Sequence, residues 1–529
     1  MPDLSRFTAA TLLALATLLT ASAAQADFID HFAVTDDVGA HKVPRTGHSR
    51  ILVLVVQVEG FPAHDMDHIR DFFSPESVPG EFRFTDFYQR MSLGAYTPEA
   101  TVIGPIPYDA CPLPEDYAGF ANCRIPRGLG DTFPEILQTL DVGLGIMEDF
   151  LQRADGEFGV NFAEYDVNGP GEQPDGWIDG VLLLHNVDFG GYAIPLYWLR
   201  RQGPLTLDGV NINIIGMADT LEVAVHEFGH LLGWADLYDE LGNTKGYQYS
   251  HMGSWNYLEA PPAVDGFSRS RAGWIAPDVV ELGERRTAVR LRPYADSGDL
   301  VQVGTGQEYF LLENRGPTGD DYIDRDIDGR GLSITHVNLR KAPTDAPDAW
   351  PLRLGGGCVN CDVWGPMLMN EQADSKFELQ RPGSRRDDAH DLFHAGDSFV
   401  PNLENTNPIG GNNTKLSSNL INGAVSGVSV TNVRIEGDDI LVDVAVEEPC
   451  ALLECGAGTC EAGKCIPPEV DDTPDEPGTN NATNNGESPD PAANAATGKT
   501  DDGCATVPAG RSPLALLLGL AGLVWALRR

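Results

Sequence analysis

"VHEFGHLLGWADLYDE" (Val225–Glu240) decides how the rest of the chain is read. His226 and His230 stand four residues apart, and Glu227 directly follows the first. On a helix, positions i and i+4 share one face a turn apart. Both imidazoles could then reach one ion at about 2.0–2.1 Å, the usual Zn–N distance. The stretch "DTLEVAVHEFGHLL" (Asp219–Leu232) supports a helix. Asp219 and Glu222 have the spacing of a capping box, and Val223, Val225, Phe228 and Leu231 can pack inward. Gly233 ends the helix with a left-handed turn, which brings Asp236 back as a third ligand and leaves a fourth position open. Glu227 is placed to act as a base rather than a ligand. An open zinc site beside a glutamate is the apparatus of metal-assisted hydrolysis. The competing reading, an amphipathic helix with surface histidines, leaves the glycine and the aspartate unexplained. Asp239 and Glu240 are rival ligands, with Asp239 better suited to support a ligand than to be one.

Outward from this stretch, the chain reads as an α+β protein. "RILVLVVQVEGF" (Arg50–Phe61) and "GWIDGVLLLHNV" (Gly176–Val187) are apolar runs that read as buried strands. "TDFYQRMSLGAY" (Thr85–Tyr96) contains a short helix stopped at Gly94, and a strand follows it. Asp131–Ala154 carries apolar residues at helical spacing. From about Arg286 the texture changes to short alternating strands between Gly, Asp and Asn turns: "TAVRLRPY", "EYFLLENR", "GLSITHVNL" and "VSVTNVRIEGDDILVDVAV". The expected organisation is a catalytic domain over 50–285, preceded by a short segment at 27–49. A β-rich domain over 286–448 is continuous with it or packed on it.

The 529 residues carry 78 acidic and 36 basic side chains, a net charge of −42. That balance argues against nucleic acid as a partner. Arg6, the apolar run Ala9–Leu19 and the Ala-x-Ala pattern at Ala24 and Ala26 read as an export signal over 1–26. Eight of nine cysteines fall in close groups: Cys111 with Cys123, Cys358 with Cys361, and Cys450, Cys455, Cys460 and Cys465 within 450–465. In an exported protein these read as disulfides rather than zinc ligands. The 450–465 module is too small for a hydrophobic core and needs such staples. Residues 466–503 are an acidic stretch rich in Pro, Asn, Thr and Gly with few apolar side chains, expected to be a disordered linker.

A second acidic cluster, "DVNGPGEQPDGWIDG" (Asp166–Gly180), offers oxygens from Asp166, Asn168, Asp175 and Asp179. It resembles a calcium loop with an insertion, so calcium is a second candidate ion; a solvated acidic turn is the alternative. "DDYIDRDIDGRG" (Asp320–Gly331) is a weaker candidate of the same kind, read by default as a charged loop.

"HEFGHLLGWADLYD" resembles the signature of the immune inhibitor A family of secreted bacterial metallopeptidases. These carry the extended zinc motif of metzincin-like enzymes, His-Glu-x-x-His-x-x-Gly-x-x-Asp. "YSHMGSWNY" (Tyr249–Tyr257) is similar to the family's methionine turn, which would set Met252 beneath the metal as an apolar floor. "TDFYQRMSLGAY", "SRAGWIAP" (Ser270–Pro277) and "EYFLLENR" (Glu308–Arg315) are similar to other family segments, so the resemblance spans about residues 50 to 340. It implies an endopeptidase acting on protein or peptide substrates. Zinc would be held by His226, His230 and Asp236, with Glu227 as general base and Tyr257 either hydrogen-bonding the developing oxyanion or serving to pack the turn. The competing function is a non-catalytic surface adhesin or binding protein that keeps the fold; the intact Glu227 argues against it. The last segment, 504–529, resembles a bacterial surface-sorting tail of the Gly-Cys type. Gly503 and Cys504 lead to a short apolar run and then Arg528 and Arg529. A membrane sorting protease is the implied partner, and the cell surface or the medium the implied location. Nothing in the sequence sets the oligomeric state.

Overall fold

The computed structural model describes residues 43–108, 140–168, 173–187, 192–195, 204–212, 214–234, 236–237, 249–253, 261–319, 321–341, 367–376, 379, 390–403 and 416–467. The export signal, Cys111, Cys123, Cys358, Cys361, Tyr257, Asp239, Glu240, nearly all of the linker and the tail with Cys504 lie outside these residues. The architecture is mixed α/β with more strand than helix.

The apolar run beginning at Arg50 forms the centre of the first sheet. Strand β1 (Gly47–Val58) pairs in parallel with β2 (Tyr96–Tyr108) on one side and with β3 (Val181–His185) on the other. β3 pairs in parallel with β7 (Ile214–Ala218), which follows a small antiparallel hairpin of β5 (Leu205–Leu207) and β6 (Val210–Ile212), and β4 (Tyr192–Pro195) pairs antiparallel to β7 on that side. The order is β2-β1-β3-β7-β4. Ile51–Val56 of β1 are apolar and buried at every position because both faces of the sheet are covered there. Ile51, Val53 and Val55 enter one core cluster, whereas Leu52, Leu54 and Val56 enter another. The second cluster includes Met147, Phe150, Leu151 and Ala154 of helix α3 (Leu140–Phe158).

The other face carries three short helices: α1 (Met66–Phe72), α2 (Phe84–Met91) and α4 (Leu221–Leu231). As the sequence suggests, Gly94 follows α2 in a left-handed conformation, φ +80°. β7 leads into α4 across only two residues, so the His-Glu-x-x-His segment leaves directly from the C-terminal end of a sheet strand.

Beyond α2 and α4 lies a five-stranded sheet, β13-β12-β11-β10-β8. Its strands are β8 (Asp278–Val280), β10 (Val301–Val303), β11 (Glu308–Arg315), β12 (Gly331–Asn338) and β13 (Leu368–Glu371). Leu311, Val337 and Leu368 join the core of the first sheet, whereas Phe310, Leu312, Leu332 and Ile334 face a third sheet. That sheet, β14-β15-β9, consists of β14 (Val428–Glu436), β15 (Asp439–Val446) and β9 (Arg285–Leu291). The β-rich region therefore shares a core with the first region rather than standing apart. β8 draws its residues from before position 285, so the second sheet begins earlier than the change of texture suggests.

The cysteine-rich module is a hairpin, β16 (Thr459–Glu461) with β17 (Lys464–Ile466), stapled by disulfides Cys450–Cys460 and Cys455–Cys465. It is joined to the body through the Val425 N–H, which donates to the Gly463 carbonyl at 2.9 Å. Among the described residues no helix is long and apolar enough to cross a membrane.

Candidate metal centre

Helix α4 begins one residue later than the capping-box spacing suggests. Thr220, not Asp219, is the N-cap: its hydroxyl accepts from the Val223 N–H at 3.2 Å. With the start moved, Val223 is only partly buried, while Ala224 through Leu231 are all buried. The end follows the sequence. Gly233 takes φ +88°, its N–H reaches the His230 carbonyl, and the Trp234 N–H reaches that of Gly229. These two bonds form a Schellman motif, which satisfies terminal carbonyls and reverses the chain. Three residues later Asp236 lies against both histidines.

The three side chains converge. His226 Nε2 is 3.0 Å from Asp236 Oδ1, and His230 Nε2 is 3.5 Å from the same oxygen. One ligand atom from each can be chosen so that all lie within 4.8 Å of one another. Two ligands of a tetrahedral ion at about 2.0–2.1 Å stand about 3.3 Å apart, and the observed pair of distances brackets that value. Each imidazole is oriented from behind. His226 Nδ1 donates to the His251 carbonyl at 2.8 Å, and His230 Nδ1 donates to the Trp234 carbonyl at 2.7 Å. A carbonyl can only accept, so each Nδ1 carries a hydrogen and Nε2 is the ring atom turned to the centre.

His226 is 8% exposed, and His230 and Asp236 are fully buried. Burial opposes charge on Asp236, but the neighbouring His230 and His226 outweigh it and hold its carboxyl well below the usual range. Its second oxygen, Oδ2, is buried with no hydrogen-bond partner among the described residues. A buried carboxylate oxygen without a donor is costly. A cation held by the three groups relieves that cost, so the donor set fits a metal ion.

The support beneath the centre comes from distant elements. A Cβ on Gly229 would come within 2.4 Å of the Met252 sulfur and 2.9 Å of His251 Nε2, so only glycine lets this segment lie against the helix. Met252 is fully buried and its carbonyl accepts from the Leu237 N–H at 2.9 Å, next to Asp236. His251 packs against Trp234 and Phe87, and burial followed by the nearby His226 and His230 drives its pKa well down. Tyr88 of α2 donates to the Val225 carbonyl at 2.6 Å, and its ring packs edge-on to Phe228. Glu227 is 2% exposed and lies on the side of α4 facing β7: a Cβ on Gly216 would be 3.2 Å from its Cβ. Gly216 pairs with Ala193 of edge strand β4, so Glu227 lies over the strand next to the sheet edge.

The second acidic cluster is organised differently. Both Asp166 oxygens accept backbone N–H groups, from Asp175 at 2.9 Å and Gly176 at 2.8 Å. Asp179 accepts from Arg50, Val167 and Asn168, and Asp175 Oδ1 from the Trp177 N–H. Asn168 Nδ2 donates to the Thr46 carbonyl and to Ser49 Oγ. Burial raises the Asp179 carboxyl to about 6 against these three donors. These side chains close a loop onto β1, and Asp166, Asp175 and Asp179 do not form a convergent ligand group. In the 320–331 segment, Asp321 pairs with Arg90 and Asp324 with Arg315. The composition of both clusters reports oxygens without reporting which N–H groups and guanidinium groups they meet.

The supporting roles of the His251 and Trp234 carbonyls were not legible beforehand, since any residue supplies a carbonyl. No family model matches the chain, and a search of the curated proteins finds no match.

Proposed function

We propose that the protein is an exported zinc endopeptidase of the immune inhibitor A type, hydrolysing peptide bonds in protein or peptide substrates. The observation that carries this is the convergence of His226, His230 and Asp236 beside the buried Glu227, with one Asp236 oxygen left for an ion. Two imidazoles and one carboxylate suit zinc, and three protein ligands with an open fourth position are the pattern of catalytic rather than structural zinc. Zinc bound there would polarise a carbonyl and make water acidic near neutral pH. The residues divide the remaining work. His226 and His230 are held with Nε2 inward by two backbone carbonyls, and Asp236 supplies the negative charge. Glu227 carries the proton from the attacking water to the leaving amine. β4 supports a peptide substrate in particular: it is the outer strand of its sheet, next to α4, and an extended chain can pair along such an edge.

The reading of residues 1–26 as an export signal and of 504–529 as a Gly-Cys tail supports an activity at the cell surface or outside the cell, where the two disulfides of the 450–465 module would be stable. The test uses the purified full chain and a diverse peptide library, with and without a zinc chelator. Cleavage is expected to stop with chelator and return with zinc. Glu227→Gln is expected to keep one zinc per chain and lose about 10²-fold or more in rate, the usual scale of a general base. Normal cleavage by that variant removes Glu227 from the role. Zinc without any cleavage moves the protein to the binding class.

A further inference from the structure

The segment 249–253 holds two of the three metal-centre ligands. The His251 carbonyl accepts from His226 Nδ1, and the Met252 carbonyl accepts from Leu237, which adjoins Asp236. That segment is itself fastened from the β-rich region. Arg315, the last residue of β11, is fully buried, and its Nη1 donates to the Tyr249 carbonyl at 2.5 Å. Its guanidinium is set by Asp324 through two bonds of 2.7 Å and by Glu313 at 3.0 Å. The same carboxylates hold the chain on the far side of the segment: Asp324 accepts from the Ala263 N–H and Glu313 from the Gly266 N–H, each at 2.8 Å. Between them, the Ser250 hydroxyl donates to Asp265 at 2.7 Å and accepts from the Met252 N–H. Five buried side chains thus clamp a turn whose carbonyls face the metal centre.

We propose that Arg315 is a positioning residue for the metal centre, acting through the Tyr249–Met252 turn, so that the β-rich region completes the metal site. The inference rests on the zinc reading given above. A planar fork explains why arginine occupies the position. It binds Asp324 through two nitrogens while a third reaches Tyr249, whereas a lysine ammonium cannot span both. Losing a hydrogen bond behind a metal ligand typically weakens metal binding about 10–100-fold.

The experiment measures zinc affinity of the full chain by chelator competition, with folding checked by circular dichroism. Arg315→Lys keeps the charge and loses the fork; Ser250→Ala removes the smaller clamp and decides the matter if Arg315→Lys does not fold. His336→Gln is the control, since it breaks a buried cluster in the same sheet that does not touch the turn. Arg315→Lys and Ser250→Ala are each expected to lose about tenfold or more in zinc affinity, with His336→Gln within about twofold of the parent despite a lower unfolding temperature. Folded Arg315→Lys or Ser250→Ala with parental affinity overturns the proposal, and so does an equal loss in His336→Gln, which would make the effect one of general stability. A parent chain that binds no zinc refutes the metal site itself. Zinc binding without peptide cleavage refutes only the proteolytic activity.

Discussion

Among the described residues, two buried histidine–carboxylate clusters are built from the same residue types and arranged differently. In the first, His226 and His230 turn Nδ1 to backbone carbonyls and bring Nε2 together at Asp236. In the second, His336 on β12 is clasped from both sides: Nδ1 meets Glu371 of β13 at 2.9 Å and Nε2 meets Glu308 of β11 at 3.0 Å. Arg340 adds a bond to the second Glu308 oxygen. Burial alone would lower the His336 pKa, but the two carboxylates outweigh it and raise the value to about 9. The second cluster is closed: both ring nitrogens donate to carboxylates, and the charge is balanced inside it. The first is open: each Nδ1 is committed to a carbonyl, and the two Nε2 atoms meet at Asp236 in a group that could hold a cation. The partner of the second ring nitrogen, rather than the presence of histidine and acid, separates a metal site from a structural ion pair.

Exchanging roles between the clusters tests the contrast most severely. His226→Ala or His230→Ala is expected to take bound zinc from one per chain to near zero by elemental analysis, while His336→Gln leaves it at one. Zinc retained in full by both alanine variants breaks the comparison. Within the open cluster, Asp236→Ala is expected to weaken zinc by more than the roughly 10–100-fold of a lost supporting bond, as read by chelator competition. An effect no larger than that would demote Asp236 from ligand to support.

The closed cluster should show itself in stability. His336→Gln leaves Glu371 without its cation and Glu308 with only Arg340, a change that costs about 3–5 kcal/mol when a buried pair is broken, measured by denaturant unfolding. Its pH dependence has a definite sign. The folded value of about 9 lies above the ordinary 6.5, so the contribution is complete below pH 6.5 and is lost as pH rises through 9. The denaturation midpoint of the parent should therefore fall between pH 6.5 and 9.5 more steeply than that of His336→Gln. Equal slopes would show that His336 is not charged in the folded state. The smallest effect concerns the start of the metal helix. Thr220→Ala removes the N-cap and is expected to cost about 1 kcal/mol, whereas Asp219→Ala is expected to cost less. The opposite order in thermal unfolding would return the cap to Asp219.

Local sequence determined a good deal. His226 and His230 share a face because four residues make one helical turn, and Gly233 reverses the chain because it adopts φ +88° without a Cβ penalty. The unbroken apolar character of Ile51–Val56 identified a strand buried on both faces, and four cysteines within 16 residues announced a stapled module. These features lie within a few residues, where bond geometry and periodicity fix what can meet. The remainder depended on contacts between elements far apart in the chain. Asp219 and Thr220 are both good caps by composition, and the folded helix uses Thr220. Asp166 and Asp179 offer oxygens by composition, and β1 and the 175–176 turn supply the N–H groups they accept from. The His251 carbonyl behind His226, the Met252 sulfur against Gly229 and the Arg315 clamp join residues 23 to 66 positions apart. Only the tertiary structure decides such meetings, because carbonyls and N–H groups are common to nearly every residue and sequence does not reveal which of them are already occupied.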